Sequence, residues 1–484
     1  MPNSSGLHKQ VAIIGGGISG LAAAHRVREL NREAQVTLFE ATDRLGGSLR
    51  TSRQDGFLIE QGADSFITDV PWAVDLCRRI GFADQLIPTN SAARGAMVVR
   101  RGKLERVPDG FLLMAPQRLW PILCSPILSL RGKARLAGEF FVKRRTQSSD
   151  GRDDESVAEF VRRRLGRETF ERLVQPLVGG IYTADPEKLS LAATLPRFLE
   201  MEREHGGLIR AARARAKVQA SGVRVQEIGG SGARYSMFVT PREGLSSLIE
   251  AIAARLPEGC IRFNTAVQRI ERIGEKWRVH VDSTGTVGLS TDFDALIIAT
   301  PTAAAAKLLE FTDAALAREL RPIEYAGSAV VALGYDRSQI EHPMNRFGFV
   351  VPAIERRRIL SASFSSVKFP GRAPVGKELI RVFLGGALQP EMMELSDEQL
   401  RRTAEEELRE LLGIAGSPCL SLVFRWPASM PQYHLGHLAR NARIKERLAG
   451  LPGLALAGNA YEGVGIPQCV RSGEEAAEKI VSDN

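Results

Sequence analysis

The run Gly15-Gly16-Gly17-Ile18-Ser19-Gly20 sets glycines in a G-x-G-x-x-G pattern directly after the apolar run Gln10-Val-Ala-Ile-Ile14. The chemistry of that spacing is phosphate binding. Gly15 permits a tight turn, Gly17 lets backbone amides approach a pyrophosphate, and Gly20 lets the following helix pack closely on the strand. The N-terminus of that helix favours negative charge. A second strand, Gln35-Val-Thr-Leu-Phe39, ends at Glu40, about 20 residues after the last glycine, where an acid holds the hydroxyl pair of a ribose. The competing reading is a glycine-rich turn with no ligand, and the acid at that distance counts against it. A carboxylate at this place also repels a 2′-phosphate, which disfavours NADP.

Fewer side chains offer acid–base or nucleophilic chemistry. Asp64 follows a strand-like stretch, Phe57-Leu-Ile-Glu-Gln-Gly-Ala-Asp-Ser-Phe66, that breaks at Gly62. It is the polar residue there expected to face substrate, against the alternative of a turn-forming Asx residue. His434 and His437 have no third ligand at metal spacing, so no metal site is expected. The five cysteines are scattered without a Cys-x-x-Cys pair, which fits a reducing cytoplasm. Near the carboxyl end, Leu454-Ala-Leu-Ala-Gly-Asn-Ala-Tyr-Glu-Gly-Val-Gly-Ile-Pro-Gln-Cys469 reads as a buried strand, a glycine-rich loop and a helix start. Backbone amides of Val464, Gly465 and Ile466 then suit an electron-rich ring edge or a hydroxyl.

The residues after Glu40 extend this pattern. Glu40-Ala-Thr-Asp-Arg-Leu-Gly-Gly-Ser48 resembles the second glycine motif of the amine oxidase and porphyrinogen oxidase flavoproteins. Gln175-Pro-Leu-Val-Gly-Gly-Ile-Tyr-Thr-Ala-Asp-Pro-Glu-Lys-Leu-Ser190 is similar to a string of the protoporphyrinogen oxidase and coproporphyrinogen III oxidase family. Amine oxidases and phytoene desaturases lack that string. The resemblance, which runs over nearly the whole chain, implies non-covalent FAD. It places Ala41, Arg44, Gly47 and Ser48 along the ribose, pyrophosphate and ribityl chain, with Ser48 standing where most relatives have arginine. It sets Gly62, Ala63, Asp64 and Ser65 beside the isoalloxazine ring, and Val267 at the adenine through its backbone. Cys469 is expected to be a packed structural residue. Many relatives carry an arginine just before the strand equivalent to Met97-Val-Val99. Here Ala96 holds that place and Arg94 lies two residues earlier, on the same face of an extended chain. Arg94 is therefore the expected partner of a substrate propionate. The implied reaction is FAD-dependent oxidation of a porphyrinogen to a porphyrin with dioxygen as acceptor. Another amine oxidase or desaturase, or a flavin-binding protein without catalysis, is the alternative. An aromatic cage of tyrosines would mark the amine oxidase.

These residues need elements to hold them. The expected fold is α/β: a Rossmann-type FAD-binding domain with an interleaved α+β substrate domain and a mainly helical domain. The FAD-binding parts are residues 1–92, 235–301 and 438–484, the helical domain 93–234 and the substrate domain 302–437. Ser156–Gly166 reads as an amphipathic helix with a glycine stop, and Gln175–Ser190 by periodicity as helix, Gly-Gly turn and loop. The apolar run Gly110–Pro116 with Leu119–Leu123 fits a channel lip or, more simply, buried core. Thr146–Glu155 and Ala211–Gly232 read as loops. Tyr325–Tyr335 and Glu378–Gly386 read as sheet and Asp397–Leu412 as an acidic helix.

With 44% hydrophobic and 25% charged residues, the chain has the balance of a globular protein rather than a disordered one. Its net charge of +9 is spread along the chain, with no nucleic-acid module, so nucleic acid is not an expected partner. Attraction to a polycarboxylate substrate or to anionic lipid explains the charge better. No signal-peptide pattern opens the sequence and no apolar run is long enough to span a bilayer. A cytoplasmic monomer or homodimer is expected, with peripheral contact to the inner membrane face or to a downstream haem-pathway enzyme compatible with this reading.

Overall fold

The computed structural model describes residues 9–116, 118–145, 154–220, 238–283 and 286–482. Its nucleotide end is a five-stranded parallel sheet in the order Ile261–Arg262, Gln35–Phe39, Gln10–Ile14, Ala295–Ile298, Leu454–Leu456. The central strand is apolar on both faces because both are covered. Helices Ile18–Leu30, Leu245–Ala253 and Ile466–Ser482 share one core with Val11 and Ile13. On the other face lies an antiparallel meander, Thr265–Ile273, Lys276–Ser283 and Thr286–Phe293, with Trp277 fully buried. Only Ala295–Ile298 separates the first strand from the last, and all three run parallel, so the glycine loop and the carboxyl-terminal loop open on the same edge.

A second sheet has seven strands in the order Leu420–Pro431, Tyr325–Asp336, Lys377–Gly385, Ser361–Phe364, Gly348–Val350, Met97–Arg100, Lys103–Arg106. Its period-2 alternation decides the faces. Val331, Leu333, Ile380, Val382, Ala362 and Phe364 bury themselves with Leu400, Ala404 and Leu408 of helix Asp397–Leu412. That helix starts in a capping box between Ser396 and Gln399. The alternate positions, Ser328, Val330, Ser361, Ser363, Arg381 and Phe383, line a cavity.

A helical block packs against the Val98 and Val350 end of the second sheet. Helix Val157–Leu165 begins at a Ser156–Glu159 capping box and ends at Gly166 with φ +92°, as the sequence predicts. Other expectations change. The hairpin Met97–Arg106, in the stretch expected to be helical, joins the second sheet through a parallel pairing of Met97 and Val98 with Phe349 and Val350. Helix Gln175–Tyr182 runs through Gly179 and Gly180, where a turn was expected. It ends instead at Thr183, whose φ is +46° and whose amide donates to the Gly179 carbonyl at 2.9 Å. Residues 211–220, expected as loop, continue helix Leu208–Ala220, because Leu208 and Ala211 are buried against the block. The rest of that loop expectation, and residues 146–153, lie outside the described residues. Phe111, Leu113, Met114, Ala115 and Ile122 are core, so the 110–123 run is mainly interior, with Trp120 left exposed.

Candidate flavin and substrate site

The first glycine loop is built from contacts that a side chain would break. A Cβ on Gly15, already at φ +107°, would lie 2.7 Å from the Ala299 carbonyl oxygen. One on Gly20 would lie 1.9 Å from the Gly15 carbonyl oxygen. At Gly17 a Cβ would meet no protein atom within 4 Å, although φ is an ordinary −69°. The cradle at Gly17 is therefore open space at a helix N-terminus, the arrangement that accepts a pyrophosphate. We predict that Gly17→Ala folds with an unchanged apoprotein melting temperature but purifies with little FAD. Full flavin occupancy in that variant would show that the pyrophosphate lies elsewhere.

The second glycine motif packs against the first. Gly17 and Gly46 form a parallel bridge, and the Gly46 amide donates to the Gly16 carbonyl at 2.9 Å. Arg44 donates to the Gly47 carbonyl at 2.7 Å and the Leu45 carbonyl at 3.2 Å, which holds it over this loop. Burial lowers its pKa, as does the charge of Arg50, against the opposing charges of Glu40 and Asp43. Glu40 accepts from the Gly16 amide at 2.8 Å and from the Thr42 amide and hydroxyl at 2.9 and 2.7 Å, which fixes its carboxylate beside the loop. Ala41 is exposed next to it. The strand bearing Val267 is tied there too, since the Thr265 amide donates to the Glu40 carbonyl at 2.9 Å. Ser19 is buried at the helix start, where a Cβ on Gly473 of the carboxyl-terminal helix would lie 2.1 Å from its carbonyl oxygen.

From this cradle opens a cavity of about 450 Å³. Ile18, Ser48, Gly62, Ala63, Asp64, Ser65, Val464 and Cys469 line it at the cradle side, with Gly465 and Ile466 adjoining at the start of the last helix. Its other walls are Phe238, Ile181, Phe347, Phe349, Val350, Phe383, Trp426 and Met430. Trp426 is pinned by an indole bond to the Gln61 carbonyl at 2.8 Å. Gly180 and Thr183 bring the helical block to the wall, and the buried Thr183 hydroxyl has no hydrogen-bond partner. No tyrosine is among the described residues lining the cavity.

Its electrostatics centre on residues that sequence reasoning missed. Lys368 and Arg381 both line the cavity. The Lys368 ammonium donates to Asp64 at 2.8 Å and to the Ser65 hydroxyl at 3.0 Å. Arg381 is 2% exposed, donates to the Gly62 carbonyl at 3.0 Å and stands 3.8 Å from Asp64. Burial alone would raise the Asp64 carboxyl, but Lys368 and Arg381 overcome it and hold it well below the usual carboxylate range. Asp64 thus faces the cavity as a paired anion and is a poor proton acceptor. Behind it, burial pushes the Glu60 carboxyl up to about 7, against hydrogen bonds from the Leu245 amide and the Thr51 hydroxyl and the charges of Arg381 and Arg372. Arg94 is absent from the described lining, where Ala96 stands; the cation near the strand Met97–Arg100 is not brought to the cavity. An arginine set between the apolar pairs Leu379-Ile380 and Val382-Phe383 of the strand Lys377–Gly385 is the signal that could have identified Arg381, since charged side chains are seldom buried without a role or partner.

His437 is a structural residue. It stacks on Tyr433 at 4.0 Å between ring centroids, and its Nε2 is 3.0 Å from the Tyr461 carbonyl. Among the described residues no cluster of metal-binding side chains occurs. Burial pushes the Cys469 thiol up to about 12, so it is protonated and a weak nucleophile at neutral pH.

The family model for flavin containing amine oxidoreductases matches residues 18–481. The chain is 34% identical over 479 residues to coproporphyrinogen III oxidase of Bacillus subtilis (strain 168), covering 98% of each chain. It is 28% identical to protoporphyrinogen oxidase 2, chloroplastic/mitochondrial, of Arabidopsis thaliana, covering 98% of this chain and 94% of that protein. A crystal structure from Exiguobacterium sp. 255-15, provisionally named a protoporphyrinogen oxidase, superposes with a TM-score of 0.85 at 30% identity, covering 98% of this chain and 99% of that one. A cyclohexylamine oxidase from Brevibacterium oxydans shares the fold at a TM-score of 0.70 and 18% identity. A flavin family and a dinucleotide cradle together specify FAD as the cofactor. The chain belongs to the flavin containing amine oxidoreductase family.

Proposed function

We propose that the protein oxidises coproporphyrinogen III to coproporphyrin III, with FAD as cofactor and dioxygen as acceptor. The observation that carries this reading is the cavity: it joins the glycine-loop residues Ile18 and Ser48 to apolar, aromatic walls, to the partly buried Lys368 and to the buried Arg381. A flat apolar macrocycle edged with carboxylates needs that combination. The bacterial relatives named coproporphyrinogen III oxidase, at 32–34% identity, support the tetracarboxylate over the dicarboxylate substrate. The absence of tyrosine from the described lining counts against an amine oxidase cage.

Bound FAD supplies the two-electron redox chemistry. It would be held by Gly15 to Gly20, Glu40, Arg44, Gly47 and Val464 to Ile466, and this chain's other work is positioning. Phe349, Phe383, Val350 and Trp426 form a slot that orients a flat ring and excludes water. Asp64, held ionised by Lys368 and Arg381, fixes the charge pattern beside it. Overall, porphyrinogen loses six electrons and six protons, and three dioxygen molecules become three of hydrogen peroxide.

No helix among the described residues is long and apolar enough to cross a membrane. Exposed Trp120, Leu130 and Phe141 support peripheral membrane contact as part of this reading. We predict that the FAD-loaded enzyme forms fluorescent porphyrin from coproporphyrinogen III with a higher kcat/KM than from protoporphyrinogen IX, and releases three peroxides per porphyrin. Turnover of amines in place of either porphyrinogen would overturn the reading.

A further inference from the structure

Around Asp64 the described structure gathers more positive than negative charge. Lys368 arrives from the end of helix Ser365–Lys368, Arg381 from the sheet, and Arg372 from the loop between them. Against these stand Asp64 and Glu60. Arg372 is satisfied by the Arg242 and Pro241 carbonyls at 2.8 and 2.9 Å. Arg381 is not: its Nε and Nη1 are buried without a hydrogen-bond partner, and Asp64 at 3.8 Å is beyond hydrogen-bond reach. Buried charged donors left unmade are costly, and a guanidinium fork matches a planar anion.

We propose that Lys368 and Arg381 form a buried anion seat in the cavity, which receives the negative charge that the reaction brings there. That charge has two sources: a carboxylate of the substrate, which rests on the function proposed above, or the flavin ring once it has accepted electrons, which rests only on FAD. Asp64 sets the strength of the seat by offsetting part of its charge.

The test uses FAD-loaded wild type, Lys368→Met and Asp64→Asn, with Arg381→Lys as the variant that keeps the charge and loses the fork. Three quantities are read: flavin midpoint potential, affinity for sulfite (which adds to oxidised flavin as an anion), and KM for coproporphyrinogen III. If the flavin is the anion, Lys368→Met weakens sulfite binding at least tenfold and lowers the potential by about 30 mV for a tenfold change in a two-electron couple. Asp64→Asn then moves both readouts the opposite way. If the substrate is the anion, Lys368→Met raises KM about tenfold with kcat kept, Asp64→Asn lowers KM, and the potential stays fixed. Either pattern supports the seat. No readout changing by more than twofold in Lys368→Met at full FAD occupancy overturns it, as do shifts of the same sign in Lys368→Met and Asp64→Asn. If wild type turns over no porphyrinogen, the proposed function fails. The seat is then decided by potential and sulfite affinity alone.

Discussion

Gly20→Ala is expected to lose both FAD and much of the fold's stability, whereas the same methyl added three residues earlier removes only FAD. At Gly20 the new carbon would sit 1.9 Å from the Gly15 carbonyl oxygen and 3.1 Å from its carbon. Both are backbone atoms, so no side chain can turn aside. The helix Ile18–Leu30 would have to lift from the strand Gln10–Ile14, and it cannot lift freely. Gly473 of the carboxyl-terminal helix packs so closely on its other side that a Cβ there would lie 2.1 Å from the Ser19 carbonyl oxygen. Over-packing of a tight core costs about 1–3 kcal/mol, and a rigid backbone contact belongs at the upper end. Thermal unfolding and flavin absorbance after gel filtration read the two effects separately. A Gly20→Ala protein that keeps its yellow colour and its melting temperature would contradict this account of the loop.

Arg164→Ala is expected to destabilise the protein by about 3–5 kcal/mol, the scale of breaking a buried ion pair from one side. Arg164 and Glu139 are both fully buried and ion-paired. Arg164 also reaches Glu202 at 3.2 Å and the carbonyls of Val142 and Gly206 at 3.0 and 3.1 Å. Glu139 in turn accepts from the Leu208 and Ile209 amides at 2.8 and 3.1 Å, which caps the helix Leu208–Ala220. Removing the guanidinium leaves Glu139 buried with only those two amides. Adding Glu139→Gln to Arg164→Ala removes both charges and should recover part of the loss, because the penalty is the unpaired charge rather than the missing bond. Urea unfolding of the four proteins in a double-mutant cycle measures this. A loss below about 1 kcal/mol for Arg164→Ala, the value of an exposed pair, would contradict it.

The parts of the molecule that were legible in the sequence are those in which local chemistry and tertiary role coincide. Strands Gln10–Ile14 and Gln35–Phe39 and helix Asp397–Leu412 have the predicted bounds, because each carries its own period, cap or turn signal, whereas the helix after the glycine run already begins at Ile18. Helix Gln175–Tyr182 was misread because Gly179 and Gly180 look like a turn. In the fold, burial of Gln175 to Gly179 in the helical block outweighs the glycines' poor helix propensity, although Gly180 itself is exposed. The hairpin Met97–Arg106 was assigned to the wrong surroundings because its partner strand, Gly348–Val350, is distant in sequence and pairs with it in parallel. The cavity's charges were hidden for the same reason. Asp64 stood out in its motif, but Lys368 is 304 residues away and Arg381 lies in another sheet. Arg94 rests on its spacing from Ala96, which does line the cavity, but Gly95 between them has φ +122°, so the alternation of an extended chain does not carry through to Arg94.

The central claim is that this cavity presents a porphyrinogen to FAD, and an anaerobic titration tests it most directly. Coproporphyrinogen III is added to the FAD-loaded protein without oxygen while flavin absorbance and porphyrin fluorescence are followed together. The account predicts that the flavin bleaches as porphyrin appears, with three flavins reduced per porphyrin formed, and that admitting oxygen restores the yellow colour. Flavin that stays oxidised with porphyrinogen, or that bleaches with a primary amine instead, would contradict it.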